Sequence, residues 1–103
     1  MKYFSYDEFD SPDELGSGKH MDHDLLVMID RARALYGKPI VVTSGFRTES
    51  HNKKVGGAKK SQHMLGNAVD IRMRNKTKKE VLEFIEIAVG RGINGVGLYF
   101  PAR

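Results

Sequence analysis

Between Asp22 and Gly37 the apolar residues Leu25, Met28, Ile29, Ala32 and Leu35 recur at the spacing of one helix face. Asp22 suits the N-cap and Gly37 a left-handed end, so the pattern predicts an amphipathic helix over 22–36. KPIVVTS follows, a β-branched run opened by Pro39 that predicts a buried strand over 40–43. From Gly45 to Gly57 the chain is polar, basic and glycine-bearing, which predicts a surface loop. Over 67–73 the pattern switches to alternation, with Val69, Ile71 and Met73 on a core face and Ala68, Asp70 and Arg72 on the other. Asn75 to Thr77 forms a turn, and Thr77 with Glu80 makes a capping box. That box opens a helix with Val81, Phe84, Ile85 and Ala88 inward, ended by Gly90 and Gly92. GVGLYF, residues 95–100, is a final apolar strand. The order of elements predicts an α+β fold, a small antiparallel sheet flanked by two main helices.

Composition narrows the chemistry. A chain of 103 residues is expected to form one domain, 1–103. Its 40% apolar and 29% charged residues are ordinary for a globular protein and argue against disorder. There is no cysteine, so any zinc has to be held by histidine and carboxylate. The opening MKYFSYDEFD lacks an apolar run and no later segment reaches membrane-spanning length, which predicts synthesis in the cytoplasm without a signal peptide. A net charge of +4 favours anionic partners such as cell-wall polymer, nucleic acid or a membrane surface. The lysine loop lacks interleaved aromatic residues, so nucleic acid is not expected.

SQHMLGNAVD, residues 61–70, places His63 seven positions before Asp70. On one continuous strand the two would face opposite ways, and on one helix they would stand two turns apart. A loop bending at Gly66 into a strand brings them together, with small Ala68 leaving room beside Asp70. By spacing alone a histidine and an aspartate seven apart are usually coincidental.

The wider pattern Ser61, His63, Gly66, Ala68 and Asp70, S-x-H-x-x-G-x-A-x-D, resembles the zinc-site motif of the D-alanyl-D-alanine carboxypeptidase family. That family includes bacteriophage endolysins and shares its fold with hedgehog signalling domains. KPIVVTSGFRTESHNKKVGGAKKSQH is similar to the family's stretch from S-G-[YF]-R through N-x-x-V-G-G, and EFDSPDELGSG resembles the start of its small single-domain branch. The resemblance implies His63 and Asp70 as zinc ligands, Arg47 as a holder of substrate and developing negative charge, and Ser61 as a neighbour of the substrate peptide. The plainer alternatives are a surface cation for Arg47, a hydroxyl bonded within its own turn for Ser61, and turn geometry alone for Gly56 and Gly57. His20, His23 and His51 are expected in solvent, and Lys53, Lys54, Lys59 and Lys60 on a solvated face.

The family's third zinc ligand is a histidine on a strand after G-x-G-x-Y, in an H-x-D or H-x-H pair with the general base nearby. Here the text runs GVGLYFPAR, and no histidine follows Asp70. The resemblance therefore implies a domain lacking its last strand at the C-terminus, a ligand recruited from His51 or His23, or a catalytically silent relative; truncation is the favoured expectation. Losing an edge strand would favour self-association. The expected function is a zinc-dependent peptidase acting on peptidoglycan stem peptides in the periplasm or cell wall. The alternative is a non-catalytic module gripping cell wall or a phage structure in the same cleft.

Overall fold

In the computed structural model, which describes residues 1–73, 75–93 and 95–99, α1 spans His23–Tyr36. Its start and stop are those expected: the Asp22 carboxylate accepts the Leu25 amide, and Gly37 turns the chain at φ 73°. The inward face, however, is Leu25, Leu26, Ile29, Ala32 and Tyr36, while the expected Met28 and Leu35 are exposed. Tyr36 decides this rotation. Its ring packs edge-to-face on Phe84 with centroids 5.4 Å apart, and its hydroxyl donates to the Glu80 carbonyl at 3.1 Å.

Three strands follow: β1 (Val41–Ser44), β2 (Val69–Arg72) and β3 (Val96–Tyr99), in the order β1-β2-β3. β1 and β2 are antiparallel, but β2 and β3 are parallel. The α+β class stands and the expectation of an antiparallel sheet is corrected to a mixed one. The cause is α3 (Lys78–Gly90), which connects β2 to β3 as a helical crossover and returns the chain in its original direction. Thr77 and Glu80 form the expected capping box of α3. Phe84 is the buried anchor of α3, with Val81, Ile87 and Ala88 partly buried against the core, whereas Ile85 is turned to solvent. Phe100, at the end of the expected final strand, lies outside the described residues.

The segment expected as loop, 45–57, contains a short helix, α2 (Glu49–Lys54), started by Thr48, whose hydroxyl accepts the His51 amide. Its six residues carry no apolar stripe, so periodicity had nothing to register. The core gathers Phe9, Leu26, Ile29, Val69, Ile71, Met73 and Phe84, joining α1, β2 and α3 with a 3-10 turn over Tyr6–Phe9. That turn lies against β1 and so supports the strand beside the histidine–aspartate pair. Among the described residues no helix is long and apolar enough to cross a membrane.

Candidate metal centre

His63 stands in a 3-10 turn, Gln62–Leu65, and Asp70 in β2; between them Gly66 reverses the chain at φ 74°. The turn is anchored at both ends. The Ser61 hydroxyl accepts the His63 amide at 3.2 Å, and the Gly66 carbonyl accepts the amide of Asp22 at 2.9 Å. The expected bend from loop into strand is therefore present, and it brings His63 Nε2 to 3.4 Å from Asp70 Oδ2.

The imidazole is buried and its orientation is set by Nδ1, which lies 2.8 Å from the Gly45 carbonyl. A carbonyl only accepts, so Nδ1 donates to it, and Nε2 is the ring nitrogen that faces Asp70. The same second partner commonly orients histidines that bind metals. The distance of 3.4 Å is long for a hydrogen bond. Two ligands each about 2 Å from a tetrahedral ion stand about 3.3 Å apart, so the pair matches two corners of a zinc shell. Among the described residues no third histidine or carboxylate converges with them.

β1 supplies the other side. Its register slips between Val42 and Ser44, so that Ser44 rather than Thr43 lies opposite Asp70. Ser44 Oγ then accepts Arg47 Nε at 3.0 Å, Asn52 Oδ1 accepts Nη1 at 3.3 Å, and Nη2 reaches Asp70 Oδ2 at 3.4 Å. The guanidinium is held on three sides, which excludes the reading of Arg47 as a free surface cation. The close contact with His63 is the main cause that holds the Asp70 carboxyl below its usual pKa; partial burial opposes it, and the charge of Arg47 adds to the lowering. Asp70 is thus a carboxylate throughout the neutral range.

Three supports went unread in the sequence. Asn52 is buried, donates Nδ2 to the Ala58 carbonyl at 2.9 Å, and so presents Oδ1 to Arg47. Gly57 is more than turn geometry: a Cβ there would lie 2.0 Å from Asn52 Oδ1 and 3.0 Å from Arg47 Nη1. Gly97, paired with Asp70 across β2 and β3, likewise leaves space that a Cβ would take, 2.4 Å from Asp70 Oδ1. The only sequence signal for Asn52 was its place in N-x-x-V-G-G, and for Gly97 its place in G-x-G-x-Y. Ser61 has the bonded hydroxyl of the plainer alternative. His20 and His23 are exposed as expected, while His51 is half-buried beside a hollow of about 250 Å³ that Arg47 and Asp70 also line.

The Peptidase M15 family model matches residues 2–100. A zinc D-Ala-D-Ala carboxypeptidase of Streptomyces albus G is 50% identical over 38 residues, 37% of this chain and 15% of that protein. The match thus spans about a seventh of that relative's length. No solved structure matches the chain. With the family match running through the histidine–aspartate pair, its arginine and all three strands, the chain belongs to the Peptidase M15 family.

Proposed function

We propose that the chain is a zinc-dependent peptidase acting on peptidoglycan stem peptides, of the carboxypeptidase or endolysin type, with His63 and Asp70 as two of the zinc ligands. The observation that carries this is the 3.4 Å approach of His63 Nε2 to Asp70 Oδ2 beside an anchored arginine. The name of the Streptomyces albus G relative supports both the metal and the D-alanyl substrate. Zinc held there would supply Lewis-acid polarisation of a peptide carbonyl. Around it the chain's own residues bind and orient. Gly45 fixes the imidazole, Ser61 fixes the turn that carries it, and Arg47 offers two-pronged binding to a terminal carboxylate or to a developing oxyanion. Catalysis requires a further protein ligand beyond this pair, since catalytic zinc sites ordinarily use three.

The test is incubation of the purified protein and zinc with muropeptides, with released peptide followed by mass spectrometry and zinc coordination by X-ray absorption. Release that is lost in His63→Ala and Asp70→Asn is the expected result. Absence of stoichiometric zinc after zinc-supplemented purification, with wall binding that persists in chelator, would overturn it in favour of a non-catalytic wall-binding module.

A further inference from the structure

A polar cluster far from the histidine–aspartate pair in sequence joins residues 10–18 to the start of α2. That loop is closed on itself. Asp10 accepts the Gly16 amide at 2.9 Å and the Gly18 amide at 2.7 Å, and the Ser17 hydroxyl accepts the Ser11 amide at 2.8 Å. On its outer edge stands Asp13, exposed to solvent. One Asp13 oxygen accepts the Ser11 hydroxyl at 2.6 Å, and the other accepts the Thr48 hydroxyl at 2.6 Å. Buried Ser11 in turn accepts the Thr48 amide on its Oγ at 3.2 Å. Thr48 is thereby held by both its amide and its hydroxyl. The Ser11 and Thr48 hydroxyls keep the Asp13 carboxyl below its ordinary 3.8, against desolvation, so it accepts these bonds as a carboxylate at neutral pH.

α2 depends on such a tie. Its six residues are too few to form a stable helix alone, and its one buried residue is Asn52. The Thr48 hydroxyl that Asp13 fixes is the same one that caps α2 by accepting the His51 amide at 3.1 Å. The Asn52 amide donates to the Thr48 carbonyl at 2.9 Å, and the Asn52 side chain holds Arg47 Nη1. Arg47 itself immediately precedes Thr48, and its own amide donates to the His63 carbonyl at 3.1 Å. We infer that Asp13 is a positioning residue for Arg47: by clamping Thr48 it fixes both the backbone that carries the guanidinium and the asparagine that holds it. Asp13 does not line the hollow shared by Arg47 and Asp70, so it acts through Thr48 and not on a substrate. Its effect on turnover rests on the peptidase reading, whereas its effect on Arg47 does not.

The experiment compares the wild-type chain with Asp13→Ala and Asp13→Asn. Alanine removes the outer tie but leaves the Thr48 hydroxyl to cap α2, and the position is exposed, so folding should be preserved; urea unfolding verifies it. Three quantities are read: exchange of the Arg47 Nε proton with water by 15N NMR, zinc affinity by indicator competition, and kcat and KM on muropeptides. In Asp13→Ala the Arg47 proton should exchange about tenfold faster and kcat/KM should fall about tenfold, while zinc affinity stays within about twofold. Asp13→Asn, which keeps one acceptor oxygen, should recover most of both losses, and it supplies the exchange measurement if the alanine variant unfolds. Unchanged exchange at Arg47, or a fall in zinc affinity as large as the fall in kcat/KM, would overturn the assignment. If the wild-type chain cuts no muropeptide but Arg47 exchange still responds to Asp13, the clamp stands and the peptidase reading falls.

Discussion

At Gly97 a single hydrogen atom separates a usable carboxylate from a displaced one. The Cβ of Gly97→Ala would meet Asp70 Oδ1 at 2.4 Å, and that oxygen is the end of a side chain that can rotate away. The fold therefore absorbs the change while the carboxylate's position beside His63 does not. We expect a change in unfolding free energy of under about 1 kcal/mol and a loss of zinc affinity of at least about tenfold. Denaturant unfolding and competition with a metal indicator measure the two separately. Gly57→Ala should behave differently, because its Cβ strikes the buried Asn52 amide, which has nowhere to go. There the expected cost is about 1–3 kcal/mol of stability, with Arg47 loosened as well. At this scale the sequence showed His63, Asp70 and Arg47 through local motifs. Ser44, Asn52 and Gly97 lie in S-G-[YF]-R, N-x-x-V-G-G and G-x-G-x-Y, but what each supports was hidden, because it depends on which side chains meet in space.

Among elements, the caps were the most legible features. Asp22, Gly37, Thr77 and Glu80 all do what their residue types and spacing implied, because capping is decided within four residues. Thr77→Ala should cost about 1 kcal/mol in urea unfolding through loss of the bond to the Glu80 amide. Less visible was the tie between the start of the chain and α1. Asp30 accepts the amides of Lys2 at 3.0 Å and Tyr3 at 2.8 Å, which holds Phe4 in the core. Burial acts to raise the Asp30 pKa, but the amide hydrogen bonds outweigh it and hold the group below its ordinary 3.8. A carboxyl depressed on folding contributes its full stability above 3.8 and loses it as pH falls through the folded value. Asp30→Asn should therefore be less stable at neutral pH and lose less stability than the wild type during acid titration, monitored by circular dichroism. The inward stripes of α1 and α3 were misplaced at Met28, Leu35 and Ile85 for the converse reason. A helix with apolar residues around much of its circumference is rotated by what it packs against, here the Tyr36–Phe84 contact.

For the whole molecule, a ligand that binds only the folded chain must stabilise it. The His63–Asp70 pair exists only when the 3-10 turn, Gly66 and β2 are assembled, so zinc should raise the unfolding temperature in proportion to log concentration. At about a hundred times the Kd the gain should approach about 2.7 kcal/mol. It should vanish in Asp70→Asn and with chelator; an unchanged melting temperature would mean that the two groups share no cation.

The sequence by itself determined the features that short-range chemistry governs: where α1 and α3 start, which face of β2 is buried, and that His63 and Asp70 can meet only across a bend at Gly66. Tertiary structure decided the rest. The direction of β3 followed from the α3 crossover, and the seating of Arg47 from the register slip that sets Ser44 opposite Asp70. The faces of α1 and α3 followed from packing on each other. These depend on contacts between residues far apart in the chain, whose energies no local pattern of polar and apolar positions contains.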